Sequence, residues 1–407
     1  MQGDEKMDIL CLMGLFPEEY REEIEKCSKA GVQNAANKLQ WAIVKGLDQI
    51  PDVSVSIVNS LYIGSYPKRY KKCFIPTFAF SHTEGAKDIN VGFCNLTGLK
   101  FFSRYHSSQK AVRKWAEAPS NEEKVLLIYA LTIPFSKVAK YVRKKYPHIK
   151  VCIVVPDLPE YMSAGGKKRN AIYNFAKQKS IGMIRRDIRD VNHFVLLTDA
   201  MKEWFDHPIS YTVVEGIAGS IANDTELPAV KRKSILYAGG ISEAYGVVDL
   251  VKAFISVAPD EWELDIFGNG KDLQTIKDLA ANFPNIKIHG LAPNPIVVEA
   301  QKTASLLINP RKNQPFTKYS FPSKILEYMS SGTPVLAYKL DGMPDDYNEY
   351  FFHIEETDDG LEEALRYVTN LSDEKRKQMG KNAKDFVAKY KNSKAQCTKI
   401  IELLSVE

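Results

Sequence analysis

The sequence lacks the features that mark secreted, membrane-spanning and metal-binding proteins. Its six cysteines are scattered over 407 residues, form no CxxC pair and have no histidine at a metal-ligand spacing. The longest apolar run, Val125 to Phe135, is far shorter than the ~20 residues of a bilayer-spanning helix. The opening MQGDEKMDIL is too acidic for a signal peptide. We therefore expect a cytoplasmic protein with no disulfide framework, no metal site and no transmembrane segment.

Charge is unevenly distributed along the chain. The net charge is +5, but residues 1–220 contain 32 Lys and Arg against 23 Asp and Glu, and the remainder contains 23 against 27. The excess lies mainly between Phe101 and Asp190. One interpretation is a set of solvated helix surfaces, and the other is docking of an anionic membrane or a phosphate-bearing substrate. No helix-turn-helix, zinc-finger or aromatic RNA-binding signature accompanies the charge, so nucleic acid is disfavoured.

The alternation of apolar runs with helical periodicity predicts an α/β protein with parallel sheets. Because a single core rarely grows beyond about 250 to 300 residues, we expect two doubly wound domains. The predicted boundaries are 1–217 for the N-terminal domain and 218–392 for the C-terminal domain, within an aperiodic linker, Gly216–Lys233. The predicted strands are Asp8–Leu15, Val53–Val58, Val125–Ala130, Lys150–Val155, His193–Leu197, Tyr211–Val214, Ser234–Ala238, Glu263–Phe267, Lys287–His289, Ala304–Ile308 and Thr333–Ala337. The predicted helices are Gln33–Asp48, Ser136–Tyr146, Lys167–Arg185, Val247–Val257, Asp272–Phe283, Pro295–Lys302 and Pro322–Ser331, and the chain after about Gly360 is predicted to be helical.

The stretch SFPSKILEYMSSGTPVLAY, from Ser320 to Tyr338, is the most informative part of the sequence. Ser320 or Phe321 is expected to cap a helix that has Pro322 in its first turn and ends before the next strand. The free N–H groups of that turn, the Ser323 hydroxyl and the Lys324 ammonium suit a diphosphate. Glu327 shares their helical face and is placed to accept two ribose hydroxyls. The alternative is a surface helix whose charged side chains are merely solvated.

Three further loops follow predicted strands, at the edge of each sheet where ligands bind. Gly239 and Gly240 end one strand and allow a backbone to approach a phosphate closely. Gly268 lies in FGNG after the next strand, and both glycine loops are also explained as plain turns. The loop INPRKNQPFTKYSF offers Arg311, Lys312 and Lys318 as cations, although solvated loop charges explain it equally well. Asp157, which follows KVCIVV, is either a group that meets acceptor or sugar or an ordinary cap or turn former.

At this point the chain resembles the retaining, GT-B-fold nucleotide-sugar glycosyltransferases of family 4. The likeness rests on ILYAGG, LDIFGNG, IKIHG, SLLINPRK, FPSKILEYMSSGTPVLA and DGMPDDY, in that order, and more loosely on N-terminal segments such as AGVQNAANKL and VVPDLPEYM. The resemblance implies two Rossmann-like domains that face a central cleft. It also implies a C-terminal helix, 393–407, that crosses back onto the N-terminal domain.

The resemblance further implies the residues that bind the two substrates. Glu327 belongs on the ribose, Ser323 and Lys324 at the donor diphosphate, Gly239 and Gly240 beside it, and the Gly290–Leu291 backbone at the base. The expected donor set is completed by Gly268, Lys312, Tyr319, Ser320 and Ile325. On the acceptor side the resemblance implies Gly31, Gln33 and Asn34, which ordinary loop and cap roles explain equally well. The residues expected to be catalytic are Asp157, Arg311 and Lys324.

Two departures from the family pattern affect the expected activity. Tyr319 stands where the family has a Glu that holds the donor sugar, and Gly240 and Tyr245 stand where it has a phosphate-binding Arg and Lys. We expect Arg311 and Lys324, with Lys312, to compensate for the two missing cations. The family's transfer needs charge stabilisation on the leaving diphosphate but neither a metal nor a dedicated protein base.

The resulting expectation is a metal-independent retaining hexosyltransferase without a bound cofactor. It would use a nucleotide-diphosphate sugar, expected to be a UDP-sugar, and a lipid-linked or saccharide acceptor in bacterial exopolysaccharide or capsule synthesis. The basic N-terminal half suggests a peripheral position at the inner face of the plasma membrane. The alternative is a non-catalytic glycosyltransferase-like binding protein, suggested by Tyr319. A dinucleotide-dependent dehydrogenase is disfavoured because no G-x-G-x-x-G follows the first strand.

Overall fold

The structure is a computed structural model that describes residues 6–29, 32–161, 171–191, 193–219, 232–257 and 261–406. The chain divides into two compact units, Met1–Ile217 with Ser393–Glu407, and Ala218–Asn392. Both units are α/β with parallel sheets, apart from one antiparallel edge pair in the first unit, which confirms the predicted fold class. The predicted linker falls mostly outside the described residues.

The first unit is built on an eight-stranded sheet with strand order β10-β9-β8-β7-β1-β2-β5-β4. Its strands are β1 (Met7–Met13), β2 (Val53–Asn59), β3 (Phe74–Ile75), β4 (Phe78–Phe80), β5 (Asp88–Asn90), β6 (Phe93–Cys94), β7 (Glu123–Tyr129), β8 (Lys150–Val155), β9 (His193–Leu196) and β10 (Ser210–Val213). All neighbours in this sheet are parallel except β4 and β5, and β3 pairs with β6 in a separate antiparallel ribbon. Continuous apolar strands such as β7 and β8 are buried on both faces, as parallel strands require.

Helices cover both faces of this sheet. They are α1 (Arg21–Cys27), α2 (Asn34–Leu47), α3 (Leu99–Ala116), α4 (Ile133–Lys145), α5 (Ala171–Asp187) and, from the end of the chain, α12 (Ser393–Leu404). Helices α2 and α12 pack together over the face formed by Ile9, Cys11 and Met13. Leu10 and Leu12 point the other way and are equally buried, on the side where α3, α4 and α5 form one layer.

The second unit has a fully parallel six-stranded sheet with strand order β13-β12-β11-β14-β15-β16. Its strands are β11 (Arg232–Ala238), β12 (Glu263–Phe267), β13 (Ile286–Gly290), β14 (Ala304–Asn309), β15 (Val335–Tyr338) and β16 (Phe352–Ile354). Its helices are α6 (Val247–Val257), α7 (Leu273–Ala280), α8 (Asn294–Thr303), α9 (Ser323–Ser330), α10 (Gly360–Asn370) and α11 (Asp373–Tyr390). One continuous apolar core links this sheet to its helices.

All eleven predicted strands are present, each within two residues of its predicted bounds. The prediction missed α1, α3, β3 to β6 and β16, which are short or have no clear apolar period. The helix predicted from Ser136 begins three residues earlier, at Ile133, because Pro134 is tolerated in a first helical turn. The helix predicted from Lys167 is described only from Ala171 onward.

Candidate functional site

The strand order of the second unit creates a switch point at β11, which has β12 on one side and β14 on the other. The chain moves outward from β11 in one direction through β12 and β13, and then returns to continue through β14 in the other direction. Ligands of open parallel sheets bind outside the carboxyl ends of the strands at such a point. Gly239 and Gly240 directly follow β11, and Arg311 follows β14 by two residues. The predicted glycine loop and the predicted cationic loop therefore flank one switch point.

The predicted glycines Gly239, Gly268 and Gly290 lie in direct backbone contact. The Gly239 N–H donates to the Phe267 carbonyl at 2.9 Å, and the Gly268 N–H donates to the Gly290 carbonyl at 2.7 Å. Gly268 has φ +140°, and a Cβ atom there would lie 1.8 Å from the Gly239 carbonyl oxygen. Only glycine adopts this conformation at this distance, so the three strand ends form one close-packed backbone surface.

Lys324 lies directly over this backbone. A Cβ atom on Gly239 would fall 1.6 Å from Lys324 Nζ, so the ammonium occupies the space that a side chain would fill. Its Nζ lies 5.0 Å from the centre of the Tyr237 ring, and the Tyr237 hydroxyl donates to the Gly240 carbonyl at 2.7 Å. Burial, partly opposed by Glu327 and assisted by Arg311, lowers the pKa of Lys324 to about 8. A buried cation above a glycine backbone is suited to binding an anion.

Arg311 provides a second cation at the same switch point. Its guanidinium lies 5.8 Å from the centre of the Tyr245 ring and 5.2 Å from that of Phe316. Burial lowers its pKa, and its buried Nε has no hydrogen-bond partner in the part of the chain that the structure describes. Tyr245 stands where the similar family has a lysine. It packs beside Arg311, the residue that we expect to replace that lysine. A buried donor without an acceptor is available to a ligand.

Lys312 does not join this pair as predicted. Its Nζ lies 3.6 Å from the Asp249 carboxylate in an exposed ion pair. Lys318, the third predicted cation of the loop, lies with its Nζ 4.7 Å from the centre of the Tyr319 ring. Of the three loop cations, Arg311 is the one whose electrostatic influence reaches Lys324.

Helix α9 begins at Ser323, and the predicted cap is wrong. Pro322 occupies the N-cap position without a side-chain hydrogen bond, and Phe321 is buried in the core. Ser320 is half-buried, and its N–H donates to the Thr317 carbonyl at 3.0 Å. Ser323 is exposed at the start of the helix, so its hydroxyl is accessible to a ligand.

Two other predicted donor residues on α9 have different environments. The Ile325 side chain is fully buried, and its N–H donates to the Pro322 carbonyl at 2.8 Å, so the prediction that Ile325 contacts the donor is not supported by its geometry. Glu327 is exposed, and its Oε1 accepts a hydrogen bond from Gln301 Nε2 at 2.7 Å. Gln301 is buried on α8 and fixes the carboxylate, a role that no sequence signal indicated. Half-buried Tyr319 precedes this helix, and the backbone of exposed Leu291 is accessible beside Gly290.

The residues predicted for the acceptor lie in the first unit. Gln33 and Asn34 are exposed at the start of α2, and Gly31 lies outside the described residues. Asp157 follows β8 at the carboxyl end of the sheet, where its carboxyl group reaches solvent and partial burial raises its pKa. Nothing in the described residues joins these groups into one catalytic cluster.

Two amides on α2 position the loop after β1, and the sequence analysis did not identify them. Asn37 Oδ1 accepts from the Phe16 N–H, and Gln40 Oε1 accepts from the Gly14 N–H, both at 2.7 Å. Both side chains are buried, so they satisfy backbone donors that would otherwise lack a partner. In the sequence, only the i, i+3 spacing of Asn37 and Gln40 places these two amides on one helix face. That spacing is too common to indicate a role.

The described residues lack two other kinds of feature. No helix among them is long and apolar enough to cross a membrane. No group of three or more His, Cys, Asp or Glu in the same ranges is arranged to hold a metal ion.

Comparison with solved structures identifies the fold. A sucrose-phosphate synthase from Thermosynechococcus elongatus matches at a TM-score of 0.62 with 13% sequence identity, covering 98% of both chains. TarM matches at 0.61 and 11% identity over 100% of both chains, and the lipopolysaccharide outer core galactosyltransferase WaaB matches at 0.58 and 13%, covering 98% of this chain and 99% of WaaB. The fold is GT-B.

The sequence comparisons concern mainly the second unit. Residues 222–386 match the family model for group 1 glycosyl transferases, and no curated protein matches the chain significantly. The matched residues include the glycine backbone, Arg311 and all of α9. The family model and the GT-B fold together support glycosyl transfer as the class of activity.

Proposed function

We propose that this GT-B protein is a retaining hexosyltransferase that uses a nucleotide-diphosphate sugar, most simply a UDP-sugar. Its acceptor is proposed to be a lipid-linked or polysaccharide intermediate of bacterial surface glycan synthesis, made at the inner face of the plasma membrane. The observation that carries the proposal is the Lys324 ammonium, which lies over the Gly239 backbone with Arg311 close enough to influence its pKa.

The proposed chemistry follows from where charge develops. As the bond between the sugar and the diphosphate breaks, negative charge grows on the leaving phosphate oxygens. Buried cations and backbone donors already in place stabilise that charge without reorganising. We assign this role to Lys324, Arg311 and the N–H groups at the start of α9, and the proposal includes no metal ion. A leaving-group oxygen takes the acceptor proton.

Specificity for the nucleoside is assigned to α9 and the end of β13. The exposed Glu327 carboxylate, held by Gln301, is proposed to accept two ribose hydroxyls, and the Gly290–Leu291 backbone to meet the base. The acceptor is assigned to the first unit through Gly31, Gln33, Asn34 and Asp157. Tyr319 is proposed to contact the donor sugar in place of the carboxylate that similar enzymes have there.

Thermal shift with UDP, GDP, ADP, NAD and several UDP-sugars tests the donor site, because a ligand of the native state raises the melting temperature. We expect UDP compounds to stabilise the wild type and Glu327→Ala to lose that shift. Glu363→Ala, which removes an exposed helical carboxylate from the same unit, is the matched control and should retain it. Stabilisation by NAD alone would point to a dehydrogenase. UDP binding without release of UDP from any UDP-sugar and acceptor extract would favour the non-catalytic binding protein.

A further inference from the structure

The first unit contains two buried cations on one helix face. Lys100 is 8% exposed and Arg104, one helical turn later on α3, is 4% exposed. Lys100 Nζ donates to the Ile63 carbonyl, and Arg104 donates to the Ser60 carbonyl at 2.6 Å and to its hydroxyl at 2.9 Å. Within the described residues, neither forms an ion pair with Asp or Glu. Buried charges in proteins are normally paired, so these two lack a counter-ion.

The surrounding side chains stabilise the positive charge of Arg104 better than that of Lys100. The Arg104 guanidinium lies 5.0 to 5.5 Å from the ring centres of Tyr62, Phe93 and Phe135. Burial, followed by the charges of Arg104 and Arg69, lowers the pKa of Lys100 to about 7. The two buried cations therefore have only carbonyl, hydroxyl and ring partners among the described residues, an arrangement that an external anion would stabilise.

The polarity of the first turns of α3 is inverted. The buried stripe begins with Lys100, Arg104 and Ser108, whereas Leu99 and Phe102 are 56% and 67% exposed. Phe74, on the neighbouring ribbon of β3 and β6, is 61% exposed. We call Phe74, Leu96, Leu99, Phe101 and Phe102 the apolar rim, and three of them lie within two residues of Lys100 along α3. Large exposed apolar side chains gathered in one region mark surfaces that meet an apolar partner.

Charge on the surrounding helix layer favours an anionic partner. Helices α3, α4 and α5 carry 14 Lys and Arg and one acidic residue, Asp187, which is buried. The chain from 89 to 116 contains no Asp or Glu. Each helix leads from the carboxyl end of the sheet back to its amino end, so the three N-termini lie at the same edge as the apolar rim. Exposed Ile172 and Phe175, near the start of α5, lie toward this edge as well.

We propose that Lys100 and Arg69 bind the phosphate of a membrane lipid, with the buried charge of Arg104 beneath them, while the apolar rim inserts among its acyl chains. The cations provide the charge that a phosphate needs, and the rim distinguishes a lipid from a free anion. The basic layer formed by α3, α4 and α5 adds long-range attraction to an anionic bilayer. This inference goes beyond the proposed function, because it assigns a lipid site to the first unit whether or not the donor site is active.

Vesicle flotation tests the lipid site with three compositions. Phosphatidylcholine vesicles containing phosphatidic acid are compared with vesicles of equal negative charge that contain oleate, and with phosphatidylcholine alone. We expect the phosphatidic acid vesicles to bind about tenfold more tightly than the oleate vesicles, because phosphate accepts more hydrogen bonds. Inorganic phosphate should compete weakly, since it lacks an apolar part.

Variants separate a binding role from a structural one. Lys100→Met should weaken binding to phosphatidic acid vesicles about tenfold with only a small change in melting temperature, because removal of an unpaired buried charge offsets loss of the hydrogen bond to the Ile63 carbonyl. Leu99→Ser with Phe102→Ser, both at exposed positions, should lose vesicle binding without unfolding the protein. Lys45→Met, at an exposed position on α2, is the matched control and should bind like the wild type.

Several results would overturn the lipid site. Equal binding to oleate and phosphatidic acid vesicles, unaffected by Lys100→Met, would reduce it to general surface charge. A large fall in melting temperature for Lys100→Met with unchanged vesicle binding would make the cations structural. Strong competition by inorganic phosphate, or binding of RNA or an acidic protein instead of vesicles, would exclude a lipid. If Lys100→Met does not fold, retained vesicle binding by the Leu99 and Phe102 variant decides against the proposal.

Discussion

Each unit has a lysine and an arginine with restricted access to solvent at the carboxyl end of its sheet, buried in the first unit and half-buried in the second, and the two pairs are built differently. In the second unit, Arg311 comes from the loop after β14 and Lys324 from α9. In the first unit, Lys100 and Arg104 lie one turn apart on α3. Burial lowers the pKa of Lys324 to about 8 and that of Lys100 to about 7.

The difference lies in what holds each ammonium. Lys324 Nζ lies over Gly239, where no side chain competes, and it packs beside a tyrosine ring. Lys100 Nζ donates to the Ile63 carbonyl, and Arg104 anchors the same loop through Ser60. The backbone thus presents the cations of the second unit to a ligand. The cations of the first unit also attach α3 to the loop that contains Ser60 and Ile63. Substitutions should therefore separate activity from stability more cleanly in the second unit.

The largest expected effect is that of Lys324→Met. We expect turnover of the sugar nucleotide to fall about 10³-fold, because the variant removes a preorganised cation from the leaving diphosphate. The melting temperature should stay the same or rise, since a buried charge becomes an apolar side chain. Steady-state kinetics and a thermal melt measure both quantities. Lys312→Met, which breaks only an exposed ion pair, should stay within about threefold of wild-type turnover. Similar losses for the two variants would contradict the special role of Lys324.

Gly239→Ala tests whether the glycine presents the ammonium. The new methyl group would displace Lys324 Nζ, and we expect about a 10²-fold loss of turnover. Stability should change little, because the atom displaced is the end of a flexible side chain. Gly219→Ala is the matched control, since no atom of the described residues lies within 4 Å of its added methyl group. Unchanged kinetics in Gly239→Ala would show that Lys324 does not act from this position.

Gly268→Ala should reduce the free energy of unfolding as well as turnover. Its φ of +140° is essentially restricted to glycine, and the added Cβ would meet the Gly239 carbonyl oxygen at 1.8 Å. We expect a loss of about 2 kcal/mol in the free energy of unfolding, measured with denaturant. Gly182→Ala, in an exposed turn of α5 with nothing nearby, should instead stabilise the protein by about 0.5 kcal/mol. Equal stability of the two variants would show that the backbone contact relaxes easily.

The sequence predicted the second unit's site better than the first's, for a physical reason. Apolar runs identify parallel strands, and the spacing of Ser323, Lys324 and Glu327 on one helix follows from local geometry alone. The contact between Lys324 and Gly239 joins segments 85 positions apart, so it depends on the tertiary fold. The burial of Ile325 and the ion pair of Lys312 with Asp249 depend on it in the same way.

Helix α3 could not have been predicted from polarity. Its buried stripe contains Lys100 and Arg104, and its exposed positions contain Leu99 and Phe102, so the usual rule for an amphipathic helix is reversed. Such a reversal is informative only once burial is known. One of the two helices that the sequence did not predict, α3, is therefore the one that carries the proposed lipid site, because function there opposes the ordinary pattern.

The smallest expected effect is a difference in pH dependence between the two sites. An anion binds the protonated lysine, so affinity relative to the matching Lys→Met variant, which removes the ligand's own ionisation from the comparison, should be constant below the pKa of the free protein and then fall up to about tenfold per pH unit above it. UDP affinity should begin to fall near pH 8, where Lys324 loses its proton, and binding to phosphatidic acid vesicles near pH 7, where Lys100 does. Lys324→Arg should remove the first fall and leave the second, because a guanidinium stays charged throughout this range. If UDP and vesicle binding instead decline together, and Lys324→Arg changes neither, the two lysines are not the groups that hold these anions.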